Sequence, residues 1–250
     1  MNPGNETVRL VECPRDAMQG WSHFIPTARK IAYINQLLRV GFDTIDFGSF
    51  VSPKLIPQMQ DTREVLAGLD MSGTNSKLLA IIANLRGAQE AVSHHQISYL
   101  GYPFSVSETF QLRNTNATIE RSLDIVKQIN DLCDLHDKKL VVYISMAFGN
   151  PYGDDYSPQL VLDWVEKITG LGVRIISLAD TVGVALPTQV ADLSSYLVAA
   201  LPQHQIGVHL HSGPGNREEK LAAAIGAGIR RFDGALKGIG GCPMADDELV

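Results

Sequence analysis

Short apolar runs, many of them β-branched, alternate with longer amphipathic segments along this chain. This alternation is typical of parallel strands joined by helical crossovers. Several runs are apolar on both faces, as expected for strands buried between two layers. Eight runs are predicted as strands, at residues 8–13, 44–47, 78–83, 96–99, 140–145, 174–178, 206–209 and 232–236.

The segments between these runs carry helix signals. Residues 28–40 place four aliphatic side chains on one stripe, and Gly41 follows as a C-terminal cap. Pro158 and Pro187 stand where helices are predicted to begin, since proline is tolerated in the first helical turn. The second crossover is broken by two prolines, and the third helix must fit into residues 86–92. An open, doubly wound sheet therefore stays possible at this point.

Strand count and length favour a closed barrel. Eight units in 250 residues give about 31 residues each, close to the roughly 30 of one strand–helix–strand crossover. We predict an α/β protein with a (β/α)8 TIM barrel in a single domain over residues 1–250, because no linker or low-complexity tract interrupts the pattern. Only six residues follow Met244, so we expect the eighth helix to be missing from this chain, or its place to be covered by a partner.

Composition narrows the functional classes. The chain is 45% hydrophobic and 19% charged, with a net charge of −6 and no basic stripe, so we expect no nucleic-acid partner. Its longest aliphatic stretch is the six residues 78–83 and its amino terminus is polar, so no membrane span or signal peptide is predicted and the cytoplasm is the expected location. Cys13, Cys133 and Cys242 are odd in number and far apart, which predicts reduced thiols.

Candidate chemistry lies at the predicted strand ends, where a parallel barrel carries its reactive side chains. His209 and His211 are separated by one residue, so both can point into the barrel mouth about 6–7 Å apart along the strand. Asp16, after the first strand, is the natural third ligand, because strands one and seven flank the same side of a closed barrel. Two nitrogens and one oxygen suit Mg²⁺ or Mn²⁺. Taken alone, the His pair fits an exposed or structural role equally.

Three further strand-end groups are candidates with structural alternatives. Arg15 precedes Asp16, and such a pair is also typical of a local ion bridge. Asp46 lies in the second strand, where a buried carboxylate needs a cation, and Arg15 is the obvious partner. Asp180 ends the sixth strand and either lines the site or caps the following loop.

The segment 238–243 contains three glycines in four residues and ends in Cys242-Pro243. Such a segment is free to close and open over the barrel mouth, carrying the thiol of Cys242 with it. The alternative is a plain turn after the eighth strand, with Cys242 as a small apolar filler.

Together these segments resemble the hydroxymethylglutaryl-CoA lyases of the metal-dependent lyase barrels. Related synthases share the Arg-Asp and HxH elements but typically carry a GERAGN-like run where this chain has GGCP. The resemblance runs nearly end to end through VECPRDAMQ (11–19), SFVSPKLIPQM (49–59), ANLRG (83–87), NPYGD (150–154), ISLADTVGVALP (176–187), HLH (209–211) and GIGGCP (238–243).

The resemblance implies cleavage of 3-hydroxy-3-methylglutaryl-CoA into acetyl-CoA and acetoacetate, as in leucine degradation. It implies a divalent cation, Mg²⁺ or Mn²⁺, and an acyl-CoA substrate. A homodimer is expected separately, because dimers are common for barrels of this size. Arg15 would neutralise the enolate oxygen and Asp46 would orient Arg15, while Asp180 would complete the polar lining. Cys242 would act as the family's mobile thiol. The implied metal ligands are Asp16, His209 and His211.

Departures from the family pattern qualify this expectation. The chain reads RDAMQGW where members often read RDGLQNE, Asp46 replaces a usual glutamate, and Ser212 replaces a usual aspartate. The family's asparagine ligand beyond GGCP is not reached before Val250, so we expect weak metal binding and impaired turnover. Two alternatives follow: a related lyase or acyltransferase acting on another hydroxyacyl-CoA, or a barrel that binds metal or CoA without catalysis.

Overall fold

The computed structural model describes residues 7–241. Eight parallel strands pair in chain order, and the eighth pairs with the first to close the barrel. This closure confirms the predicted (β/α)8 barrel and excludes the open, doubly wound sheet.

The described elements follow the strand–helix alternation expected from the sequence. The strands are β1 Arg9–Glu12, β2 Thr44–Ser49, β3 Lys77–Ile81, β4 Ile97–Ser105, β5 Lys139–Ser145, β6 Ile175–Asp180, β7 Gln205–Leu210 and β8 Arg231–Gly234. The helices are α1 Pro14–Gln19, α2 Thr27–Leu38, α3 Thr62–Ala67, α4 Leu85–Val92, α5 Glu108–Thr115, α6 Ile119–Leu135, α7 Pro158–Gly170, α8 Pro187–Ala200 and α9 Arg217–Gly226. Short 3₁₀ turns cover Pro57–Met59 and Leu236–Gly238.

The largest error in the predicted elements concerns β4, which continues to Ser105 rather than ending at residue 99. Gly101 and Pro103 disfavour a strand by local propensity, yet both pair with β5 in register. Gly101 faces the barrel interior, where an added Cβ would lie 2.6 Å from Ile81 Cδ1. The crowded interior therefore requires glycine at this position, and tertiary packing overrides the local signal.

The main core lies between the barrel and its helices. Val190, Leu193 and Leu197, the predicted inner face of α8, are at most 1% exposed. Cys133 on α6 is fully buried with a free thiol, as the core interpretation predicts. Burial of these stripes against the sheet fixes the outer helices and so holds the strand ends in place.

The outer side at β1 is less covered than the rest of the barrel. Val8 is 48% exposed and Leu10 is 49% exposed, and on α9 Ile225 is 51% exposed. The expectation of a missing eighth helix falls on residues beyond 241, outside the described range. Within residues 7–241 no helix is both long and apolar enough to cross a bilayer.

Candidate active site and metal centre

Asp16 and Arg15 are presented by α1, a one-and-a-half-turn helix that begins directly after β1. Pro14 occupies its first turn, where proline starts a helix readily. Both residues are buried, at 8% exposure each, although they lie beyond the end of the strand. Residues 14–16 follow the first strand as predicted, and there the chain turns into a helix that contacts β2.

His209 and His211 lie at the carboxyl end of β7 and share a face of the strand. Their ring centroids are 5.2 Å apart, and Leu210 between them packs against the main core. Spacing of two residues along a strand therefore brings both imidazoles to the barrel mouth, as the period of an extended chain requires.

The structure brings Asp16, His209 and His211 together. One ligand atom from each, a carboxylate oxygen and two ring nitrogens, lies within 4.8 Å of the others. Asp16 Oδ2 is 3.8 Å from His209 Nε2. Burial, with help from His209, lowers the pKa of His211, so its ring is neutral near pH 7 as a metal ligand must be. The donor set fits a divalent cation of hard or borderline character.

Gln19, which the sequence reasoning missed, fixes the Asp16 carboxylate. Its Nε2 donates to Asp16 Oδ1 over 2.8 Å, and Arg15 Nη1 donates to the same oxygen over 3.0 Å. These bonds hold Oδ1 and leave Oδ2 on the side of His209. The only sequence signal for Gln19 was its position one helical turn after Asp16 within the VECPRDAMQ motif.

The glycine-rich segment contacts the same carboxylate at Oδ2, which accepts from the Gly241 backbone over 3.4 Å. An added Cβ at Gly240 would lie 2.6 Å from Asp16 Oδ2, so only glycine fits there without displacing the ligand. Gly238 and Gly241 have φ values of 67° and 140°, which L side chains rarely adopt. Cys242 lies outside the described residues, so its role as a mobile thiol stays a prediction.

Arg15 and Asp46 form the ion pair that the sequence predicts. Arg15 Nε and Nη2 both donate to Asp46 Oδ2, over 3.0 and 2.5 Å. Burial raises the pKa of Asp46 to about 6, against the opposing charge of Arg15. Burial works to lower the pKa of Arg15, but Asp46 and Asp16 outweigh it and raise that pKa, so the guanidinium stays charged.

Asp180 lies behind the ligands rather than in the cavity between them. Its Oδ1 accepts a hydrogen bond from the Ala185 backbone over 3.1 Å, and its Oδ2 accepts one from Lys220 Nζ over 2.7 Å. These contacts match the loop-capping alternative of the sequence analysis. Lys220 was not singled out from the sequence, because a lysine near the start of a helix is ordinarily solvent-exposed.

A cavity opens above the ligands and has two unlike sides. Arg15, Asp16, His209 and His211 line the polar side. The other side is apolar and comes from the β2–α3 loop and the ends of β3 and β4: Val51, Leu55, Ile56, Ile81, Ala83 and Pro103. A ligand with a polar head and an apolar body fits such a cavity.

Comparisons with known proteins identify the family to which the chain is similar. The HMGL-like family model matches residues 8–243. Hydroxymethylglutaryl-CoA lyase YngG of Bacillus subtilis is 36% identical over 243 residues, covering 97% of this chain and 80% of that protein. The cytoplasmic 3-hydroxy-3-methylglutaryl-CoA lyase of Rattus norvegicus is 33% identical and is covered over 70% of its length, against 96% of this chain.

A solved structure is similar over the same range. The HMG-CoA lyase of Acinetobacter baumannii, in complex with coenzyme A and 3-methylmalate, superposes with a TM-score of 0.89 at 34% identity. The match covers 96% of this chain and 78% of that one. With a family model spanning almost every described residue and relatives above 30% identity on the same barrel, the chain belongs to the HMGL-like family.

Proposed function

We propose that this enzyme is a divalent-metal-dependent lyase that cleaves 3-hydroxy-3-methylglutaryl-CoA into acetyl-CoA and acetoacetate. The observation that carries the proposal is the grouping of Asp16, His209 and His211 beside a buried, charged Arg15 in one cavity. The names of the relatives support the same activity.

The reaction sets two demands on the site. The tertiary hydroxyl must lose its proton, so that its oxygen forms the ketone of acetoacetate as the carbon–carbon bond breaks. The electron pair of that bond passes to the thioester enolate, which then takes up a proton to become acetyl-CoA. Asp16, His209 and His211 would hold Mg²⁺ or Mn²⁺, which supplies Lewis acidity toward the substrate oxygens.

Arg15 is suited to stabilise the enolate oxygen. Three of its five N–H groups are used in the bonds to Asp46 and Asp16, which leaves two for a substrate oxygen. Asp46 holds the guanidinium at two nitrogens, so the donors are fixed before the charge develops. Arg15 therefore binds and neutralises the anion, and Asp46 positions Arg15.

The apolar side of the cavity is suited to the thioester chain of an acyl-CoA. Leu55 is 52% exposed at the entrance, whereas Ile81 lies deeper and packs against the barrel interior. An extended ligand can therefore enter past Leu55 with its acyl group toward Arg15 and its remainder in solvent. Contact with these side chains would exclude water from the reacting carbon.

A second candidate is a lyase of the same mechanism with another hydroxyacyl-CoA as substrate. Trp21, in the segment that departs from the family pattern, is 55% exposed beside the glycine-rich segment. A panel of hydroxyacyl thioesters, assayed for released acetyl-CoA, separates the two candidates by their relative kcat/KM.

The direct test is an assay of the purified protein with Mn²⁺ or Mg²⁺ and 3-hydroxy-3-methylglutaryl-CoA. We expect equal amounts of acetyl-CoA and acetoacetate, loss of activity in EDTA, and a kcat about 10²–10³ lower in Arg15→Gln. Arg63→Gln is the matched control, because Arg63 pairs with Glu90 on the surface and its side chain is 68% exposed. Metal binding without product release would instead support a non-catalytic barrel.

A further inference from the structure

Lys220 on α9 is completely buried, an uncommon state for a lysine. A buried ammonium is tolerated only when its donors are used. Here they are: Nζ donates to Asp180 Oδ2 over 2.7 Å, to the His211 carbonyl over 2.9 Å and to the Gly183 carbonyl over 3.3 Å. All three N–H groups of the ammonium are therefore satisfied.

The three acceptors belong to two neighbouring strand ends. Asp180 is the last residue of β6, Gly183 lies in the turn that follows, and His211 comes one residue after β7. The turn is a hydrogen-bonded unit, because Asp180 also accepts from the backbone of Gly183 and of Ala185. The ammonium of Lys220 thus links the turn after β6 to His211, a candidate metal ligand.

The position of the His211 ring depends on the same two strand ends. The ring hydrogen-bonds to the backbone of Thr181, the residue after Asp180. Thr181 is itself held, since its Oγ1 accepts from the Met146 backbone over 3.0 Å. The partner of the second ring nitrogen sets the orientation of a metal-binding imidazole. Lys220 bonds to His211 and to Asp180 and Gly183, which lie on either side of Thr181 in the chain. It therefore fixes the separation of Thr181 from His211, on which the position of the ligand nitrogen of His211 depends.

We propose that Lys220 is a positioning residue of the metal centre, holding His211 against Asp16 and His209 through the ends of β6 and β7. This inference rests on the proposed metal-dependent function. The simpler alternative is that Lys220 only neutralises the buried charge of Asp180. The two differ in whether the carbonyl bonds to His211 and Gly183 matter for metal binding.

The first test is the Mn²⁺ affinity of purified variants, measured by calorimetry. We expect Lys220→Met to bind Mn²⁺ about 10–100-fold more weakly than the wild type, the range typical for loss of a ligand-orienting partner. Lys30→Met is the matched control: Lys30 is 2% exposed and pairs with Asp61 over 2.7 Å on the α2 side of the barrel. It should lower the Tm while leaving Mn²⁺ affinity unchanged. Unchanged affinity in Lys220→Met would overturn the proposal.

The double variant Asp180→Asn/Lys220→Met distinguishes positioning from charge balance, and it remains informative if the single variant does not fold. It removes both buried charges but keeps an oxygen to accept from the Ala185 backbone. We expect the Tm to recover while Mn²⁺ affinity stays weak, because the His211 and Gly183 carbonyls still lack the hydrogen bonds that Lys220 donates. Recovery of wild-type affinity in the double variant would show that Lys220 serves only Asp180.

A metal-free measurement separates this inference from the proposed function. The ¹⁵N NMR signals of His211 report its tautomer and hydrogen bonding in the apoprotein. We expect one tautomer with a bonded N–H in the wild type and in Lys30→Met, and a mixture in Lys220→Met. A single tautomer in all three proteins would contradict the role of Lys220. Failure of the wild type to bind Mn²⁺ would instead remove the metal-dependent function on which the inference depends.

Discussion

Two arginines are buried inside the same barrel, yet only one of them faces the cavity. Arg15 lies at the carboxyl ends of the strands, donates to Asp46 and Asp16, and lines the cavity. Arg231 of β8 is completely buried, 3.7 Å from Asp233 and with the ring of Tyr99 5.7 Å away. Among the described residues, none of its three guanidinium nitrogens has a hydrogen-bond partner.

The difference shows that a buried charge alone does not identify a site. The barrel makes room for the Arg231 stem, since an added Cβ at Gly207 would lie 3.1 Å from it. Its donors are enclosed, whereas two donors of Arg15 are left for a ligand that enters the cavity. Arg15 is therefore expected to affect catalysis, and Arg231 to affect stability.

The largest expected effect on turnover comes from Arg15→Lys. Lysine keeps the positive charge but cannot donate from two fixed nitrogens to Asp46 while also reaching a substrate oxygen. We expect kcat to fall by about 10²–10³, with a smaller loss of Mn²⁺ affinity, because Gln19 still donates to Asp16 Oδ1 when the Arg15 bond is lost. Steady-state kinetics together with calorimetric metal titration check this, and a kcat near the wild-type value would show that charge alone is sufficient at this position.

Arg231→Met should lower the stability of the protein rather than its turnover. It leaves the Asp233 carboxylate buried without its cation, which costs about 3–5 kcal/mol of unfolding free energy. Urea denaturation measures that loss, and the kcat of the folded fraction should change little. The double variant Arg231→Met/Asp233→Asn should regain part of the stability. A kcat loss as large as that of Arg15→Lys would remove the distinction between the two arginines.

Acidic pH should weaken the contact between Asp46 and Arg15 and so lower the activity. Burial raises the pKa of Asp46 to about 6, so its carboxylate takes up a proton as the pH falls through that value and loses its charge-assisted hold on Arg15. We expect the kcat/KM of the wild type to fall below about pH 6. The kcat/KM of Asp46→Asn should be low at every pH, without this further fall below about pH 6. An identical acidic limb in both proteins would assign the titration to another group.

The same pKa has the opposite effect on stability. A carboxyl whose pKa is raised on folding favours the folded state at low pH, and that contribution is lost as the pH rises from about 4 to about 6. The unfolding free energy of the wild type relative to Asp46→Asn should therefore decrease across this window. Urea denaturation at several pH values measures this difference, and an increase would contradict the burial-dominated pKa.

Gly240→Ala should give the smallest effect of the series. Its Cβ would press on Asp16 Oδ2, so either the loop or the carboxylate must shift by several tenths of an ångström. We expect Mn²⁺ affinity to fall by about tenfold, comparable to the loss of an outer contact of a metal site. Gly215→Ala is the control, because nothing lies within 4 Å of its added Cβ. Equal Mn²⁺ affinities in the two variants would show that the glycine-rich segment moves aside without displacing Asp16.

The alternation of strands and helices was predictable because the barrel repeats one pattern, and its eight strands were each located from sequence. β4 was the exception, since Gly101 and Pro103 break strands locally and only the crowded interior explains them. The grouping of Asp16 with the two histidines was also predictable, because parallel strand ends meet at one edge of the sheet.

Two helical residues that support the candidate ligands, Gln19 and Lys220, could not be predicted in the same way. Gln19 and Lys220 act through hydrogen bonds that depend on how α1 and α9 are rotated against the strands. Asp180 sits at a strand end as predicted, but its side chain bonds to Lys220 and the Ala185 backbone instead of lining the cavity. Position along a strand is encoded locally, whereas the direction of a side chain at its end depends on the neighbouring loop and helix.

A crystal structure of the protein grown with Mn²⁺, with anomalous scattering used to locate the ion, tests the proposed metal centre. We expect one Mn²⁺ bound by an Asp16 oxygen and by ring nitrogens of His209 and His211, at about 2.0–2.3 Å. Arg15 should remain bonded to Asp46 beside it. An ion bound elsewhere, with the two imidazoles turned away from Asp16, would contradict the proposed centre.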